Sequence, residues 1–149
     1  MTVTETKVWT PDAVVPEKRN VWTAMKRGLR GRCPNCGEGK LFRAFLKVAD
    51  RCTECGQDLT HHRADDLPAY LVIVIVGHIL VPLVLAVETH IAPPVLLSMT
   101  LWPLTALAMT LGLLQPIKGA VVAVQWYGGM HGFEDAMKAR TQAAVSNRT

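Results

Sequence analysis

Two stretches of this chain are too apolar to stand alone in water, and any fold must first dispose of them. Between Pro68 and Val87 the only side chain able to carry charge is His78, and between Val95 and Leu114 there is none. Each run is about 20 residues, or about 30 Å of helix, which matches the hydrocarbon thickness of a bilayer. Burying both as core helices of a soluble domain would need flanking amphipathic structure that the rest of a 149-residue chain does not supply. The expectation is a membrane α-helical hairpin, with spans at 68–87 and 95–114 joined by a periplasmic loop at 88–94.

Charge sets the orientation. Of sixteen Lys and Arg, twelve precede residue 68, four follow residue 117, and the loop "ETHIAPP" has none. By the positive-inside rule both termini are cytoplasmic. The net charge of +4 then reads as topology rather than as a nucleic-acid footprint. The first twenty residues lack an apolar signal-peptide core, so the first span is expected to serve as its own insertion signal.

Ahead of the spans, residues 1–19 mix Thr, Pro, Val and charges without periodicity and read as a cytoplasmic tail. Residues 20–31 read as a short basic amphipathic helix. Asn20 is the N-cap, Val21, Trp22, Met25 and Leu29 form an apolar face, Lys26, Arg27 and Arg30 lie off it, and Gly31 ends it. That face either lies on an anionic membrane surface or packs on the cysteine-bearing segment next to it. In "HHRADDLPAY", Asp65 or Asp66 is placed to cap the first span, with Pro68 in its first turn. Residues 115–149 form a cytoplasmic interfacial segment and tail. In this segment Ile117 to Tyr127 extends the second helix, Trp126 and Tyr127 sit at headgroup level, Gly128 and Gly129 break the helix, and a final turn begins near Phe133.

All four cysteines fall in residues 32–60. Cys33, Cys36, Cys52 and Cys55 spell C-x2-C-x15-C-x2-C, the spacing of a tetrathiolate zinc site. In each CxxCG unit the two-residue gap lets both sulfurs reach one ion, and Gly37 or Gly56 permits a left-handed turn behind them. Four sulfurs close the coordination sphere, so the expected zinc, one per chain, is structural. A reducing cytoplasm disfavours disulfides, and two CxxC pairs at this spacing do not suit a thioredoxin-like site. An iron centre uses the same ligands and stays open as an alternative. His61 and His62 are read as surface or membrane-facing residues. The module is expected to be zinc-ribbon-like, with small β-hairpins around Leu41, Phe42, Phe45, Leu46 and Val48.

The stretch "CPNCGEGKLFRAFLKVADRCTECGQDLTHHRADDLPAY" resembles the Cys-rich half of bacterial membrane proteins catalogued as domain of unknown function 983. "PIKGAVVAVQW" is similar to their ending. The resemblance runs from about Leu29 to Trp126, with Leu67 standing where the family pattern has Gly before Pro. It implies a small inner-membrane protein with a zinc-ribbon-like head, frequent in alphaproteobacteria and in some cases encoded near haem–copper oxidase genes. It implies no defined activity.

Within the spans, His78 lies ten residues into its helix, near the bilayer midplane, where an ionisable group is costly and so a candidate for function. Pro82 removes the helical partner of the His78 carbonyl, and Pro103 does the same for Met99. Thr105 is expected at the same depth, with Trp102 one turn away, so His78 and Thr105 form a candidate intramembrane polar site. The bland reading is a hairpin glued by a hydrogen bond from His78 to Thr105 or Ser98.

The function expected from these features is that of a non-enzymatic inner-membrane accessory or assembly protein. A structural zinc head and a helical hairpin, seated in membrane lipid, would bind a larger membrane complex, with a respiratory oxidase as one candidate. No nucleophile–base constellation and no small-molecule substrate is indicated. One alternative is a haem or copper handling protein using His78, with Glu88 or His90. Another is a membrane-tethered nucleic-acid binder, for which Arg32, Lys40, Arg43, Lys47 and Arg51 would supply charge. It is disfavoured because Phe42 and Phe45 are assigned to the core and the basic charges already serve topology.

Overall fold

A computed structural model of the chain describes residues 20–63, 66–135 and 138. The expectations for the tail at 1–19, for Asp65 and for most of 136–149 lie outside the described residues. The order of elements is α1 (Val21–Leu29), α2 (Leu67–His90) and α3 (Val95–Tyr127), followed by a single 3-10 turn at Met130–Gly132.

The side chain of Asn20 accepts the Trp22 amide at 3.0 Å and opens α1. Its end is equally local: Gly31 turns left-handed at φ 67°, its amide reaches the Gly28 carbonyl at 2.8 Å, and the Arg32 amide reaches Arg27 at 2.9 Å. The face that α1 buries is not the one its large apolar residues mark. Ala24 and Gly28 are the buried positions, whereas Trp22 is 64% exposed and Leu29 41%. The cause is backbone proximity: Gly28 meets Gly119 of α3 so closely that a methyl on either would overlap the other's carbonyl oxygen.

Residues 32–60 do not form the expected ribbon of β-hairpins. Among the described residues there is no strand, only isolated antiparallel bridges pairing Arg32 with Lys40, Phe42 with Val48, and Arg51 with Asp58. The backbone groups that would extend a ladder are consumed by turns. Gly37 donates to Cys33 at 2.9 Å and Cys33 to Gly39 at 2.8 Å; Gly56 donates to Cys52 at 3.0 Å and Cys52 to Gln57 at 2.9 Å. Phe45, expected in the core, is 51% exposed because it rides on the tight turn in which Arg43 donates to Lys47 at 2.9 Å.

The head is therefore completed from outside itself. Leu41, Val48 and Leu59 pack with Ala24 of α1, with Val121, Val122, Ala123 and Trp126 of α3, and with Phe133. Trp126 is buried in this cluster, which corrects its expected place at the headgroups. A second clamp fastens the approach to α2: the Gln125 carboxamide accepts from the Arg63 amide at 3.0 Å and donates to the Arg63 carbonyl at 2.9 Å.

α2 runs unbroken through Pro82, and α3 through Pro103 and Pro116. Where residues 88–94 were expected as loop, Glu88, Thr89 and His90 complete the last turn of α2. Asp66 precedes α2 without a side-chain capping bond. Both helices are long and apolar enough to cross a membrane, and only 11% and 22% of their most apolar windows are buried. A core helix of a soluble protein would be mostly covered; here Ile73, Leu85, Leu96, Leu104 and many neighbours face outward.

The helical glycines divide into two kinds, which yields a contrast test. Around Gly77 and Gly112 there is open space, while Gly28 and Gly119 are in contact. Gly77→Ala or Gly112→Ala should leave the purified protein as stable or raise its stability by up to about 1 kcal/mol. Gly28→Ala or Gly119→Ala should lower it by about 1–3 kcal/mol through overpacking. Thermal unfolding in detergent checks both signs. Gln125→Ala should cost about 1 kcal/mol, since it removes both part-buried hydrogen bonds to the Arg63 backbone.

Candidate metal centre

The two CxxCG turns face each other. Cys33 and Cys52 end the bridged segments, Cys36 and Cys55 sit on the turns, and Gly37 and Gly56 behind them hold φ of 78° and 66°. That left-handed geometry is open to glycine at little cost. The four sulfurs all lie within 4.8 Å of one another. Cys33 and Cys55 sulfurs are 3.8 Å apart, and those of Cys36 and Cys52 are 3.7 Å apart. Four thiolates about 2.3 Å from one tetrahedral ion have sulfur–sulfur edges of about 3.8 Å, which these two pairs match. A disulfide needs sulfurs about 2.05 Å apart; all four cysteines are free.

The shell around the sulfurs is also built. Asn35 in the first turn donates its carboxamide N–H to the Cys55 sulfur of the second at 3.5 Å. Arg27 reaches down from α1 and donates to the carbonyls of Asn35 at 2.7 Å and Pro34 at 3.4 Å. The sequence reading placed Arg27 only as one of the charges off the apolar face of α1; the signal it missed is that Arg27 stands six residues ahead of the first cysteine, level with its turn.

Electrostatics make this a site that wants a cation. Hydrogen bonding to Cys52 and Cys55, reinforced by burial, pushes the Cys33 thiol far above its ordinary range. For Cys52, the hydrogen bond with Cys33 pulls down, but the one with Cys55 and burial outweigh it, and the group is pushed up to about 11. Hydrogen bonds from Cys33 and Cys52, with Asn35 adding to them, hold Cys55 well below the thiol range. Hydrogen bonds from its neighbours thus favour the thiolate of Cys55, and a metal ion on the four sulfurs would take the place of those protons.

A model of the family described as Protein of unknown function (DUF983) matches residues 42–126, more than half of the 149-residue chain. The chain belongs to the DUF983 family. No curated protein and no solved structure matches it. The DUF983 match opens at Phe42 and closes at Trp126. It therefore takes in Cys52, Cys55, both long helices and the α3 residues that complete the head, while Cys33 and Cys36 precede it. The resemblance read from Leu29 onward is thus shown from Phe42.

The histidines stand apart from the sulfurs. His62 Nδ1 is 2.6 Å from the Leu59 carbonyl, and the His61 ring meets Phe133 edge-on at 5.8 Å. Within the DUF983 hairpin, the candidate pair His78 and Thr105 is not brought into a hydrogen bond. His78 Nδ1 bonds the Val74 carbonyl of its own helix at 2.8 Å, and Thr105 bonds Leu101 at 2.8 Å. At about 100° per residue, His78 is turned about 200° from Val76, one of the three buried positions of α2. The polar tie between the helices lies elsewhere: the Trp102 indole donates to Glu88 Oε1 at 2.9 Å. Depth counting paired His78 with Thr105 but could not read the facing of His78.

Purified full-length protein should carry about one metal ion per chain by elemental analysis. Acidification should release it, because protons compete for the sulfurs and the high Cys33 and Cys52 positions mean that loading must displace protons. Cys55→Ser should remove the ion while leaving the far-ultraviolet helical signal of α2 and α3 largely intact; retention of one equivalent of metal would contradict the four-sulfur assignment.

Proposed function

We propose that this DUF983 protein is a non-enzymatic accessory or assembly protein of the bacterial inner membrane. Its head holds one structural zinc ion at the cytoplasmic face, and its two-helix anchor binds a larger membrane complex, with a respiratory oxidase as the candidate suggested by the family resemblance. The observation that carries this reading is the shared core. The head closes over a four-sulfur cluster of which Cys33, Cys52 and Cys55 are buried, and it is welded to the end of α3 through Val122, Ala123 and Trp126. A closed sulfur site leaves no open position for substrate, and a head fused to its anchor presents one fixed shape. Positive charge on the head side favours the cytoplasmic orientation. Copurification from native membranes in mild detergent should yield a stoichiometric membrane partner with the wild-type chain and less of it with Gly28→Ala. Recovery of this chain alone, at every detergent concentration that keeps it folded, would count against the reading.

A second reading has one observation in its favour. Because a carbonyl only accepts, the bond to Val74 puts the proton of His78 on Nδ1 and leaves Nε2 as the free acceptor, which is how ligating histidines are commonly held. The ring lines an open groove with Ile73, Gly77, Val81 and Pro82. Haem or copper handling would use that nitrogen with a second ligand from another chain. An absorption spectrum of protein prepared from native membranes tests it: a haem band lost in His78→Leu supports it, and a featureless visible spectrum without copper rejects it. His78→Leu should leave stability within about 0.5 kcal/mol, since the ring bonds only its own helix.

A further inference from the structure

Where the head overhangs the hairpin, a cavity of about 570 Å³ opens between residues 43–50 and the flank of α3. Its size is that of a small-ligand site. Its charge is one-sided: Arg43, Lys47 and Lys118 meet there beside His62, against the single acid Asp50. Asp50 is engaged by Arg43 at 3.4 Å, and among the described residues neither Lys47 nor Lys118 lies in an ion pair. Phe45 and Leu46 give the cavity an apolar lip, and Phe45 is the exposed aromatic that the head core left out.

The height of this cavity identifies its ligand. The far end of α3 is Val95. Lys118 lies 23 residues further along the same helix, about 35 Å, which clears a hydrocarbon core of about 30 Å and stays within the headgroup region. The positive groups therefore lie in the plane where phospholipid phosphates lie, with the exposed apolar flanks of α2 and α3 directly beyond. Basic pockets at the cytoplasmic ends of membrane helices hold anionic headgroups in this way.

We propose that this cleft binds the headgroup of an anionic phospholipid, its phosphate between Lys118 and Lys47 and its glycerol and upper acyl chain against Phe45. The assignment rests on the reading that α2 and α3 cross the membrane. It gives the head a lipid-dependent seat, distinct from the diffuse attraction of its other basic residues.

The test uses the full chain in detergent, titrated with phosphatidylglycerol or phosphatidylcholine and followed by native mass spectrometry. Wild type should bind phosphatidylglycerol preferentially. Lys118→Gln and Lys47→Gln should each weaken that binding about fivefold, and Lys40→Gln, a surface charge outside the cleft, should not. Equal loss in all three variants, or none in any, overturns the cleft, as does competition by inorganic phosphate as strong as that of the lipid. Tighter binding of a single-stranded RNA oligonucleotide through the same two lysines, with no preference for phosphatidylglycerol, would also overturn it. Alkaline carbonate extraction of native membranes separates the two levels. Wild type that is extracted defeats the membrane reading itself, while wild type that stays in the membrane with no lysine effect defeats only the cleft.

Discussion

The structure of the head depends on one place where two backbones touch. Gly28 of α1 and Gly119 of α3 approach until neither can carry a methyl group, and that contact brings α1 down so that Ala24 can join Val122 and Ala123 in a common core. With any larger residue at either position the helices would stand farther apart, and Ala24 is too small to bridge the gap. Because Arg27 projects from the adjoining turn of α1 to the carbonyls of Pro34 and Asn35, the same contact also sets the position of the first cysteine turn. A crossing of two helices is thus coupled, through one side chain, to the sulfur cluster.

The cluster and the core divide the labour of stabilising a head that neither could hold alone. Of residues 32–60, Leu41, Val48 and Leu59 are buried in the apolar core and Phe42 packs against it, too little to order such a segment against its conformational entropy. A metal on the four sulfurs would supply cross-links where apolar area is missing, and α3 supplies the area. The backbone here is free to make turns rather than strands because its order does not come from a ladder. This is the physical reason the module has the cysteine spacing of a ribbon without ribbon strands.

Local chemistry was legible in the sequence and mutual facing was not. Asn20 and Gly31 mark the ends of α1 because capping is decided within a few residues, and the glycine after each cysteine pair announces a left-handed turn for the same reason. The two long helices were legible because helices surrounded by water rarely go so many residues without a charge. What failed depended on azimuth or on contact between distant segments. Large side chains on α1 did not reveal its closest packing face, since hydrophobicity does not register that Gly28 permits a closer approach than Leu29. His78 and Thr105 were paired by depth, yet Pro68, Val72 and Val76 turn α2 so that His78 faces away. Phe45 looked like core only because the contribution of α3 to that core could not be read from residues 32–60.

The bounds of the family match carry the same physical logic. The match closes at Trp126, the last residue of α3 that packs into the shared core, one residue before the helix itself ends at Tyr127. A unit defined by its anchor alone would close where the apolar run does, near Leu114. Extending through Gly119, Val122 and Gln125 means that the matched segment includes the Gly28 contact surface, the lid on Leu41 and Leu59, and the clamp on Arg63. The second cysteine turn, the hairpin and the docking end of α3 therefore form one mechanical piece.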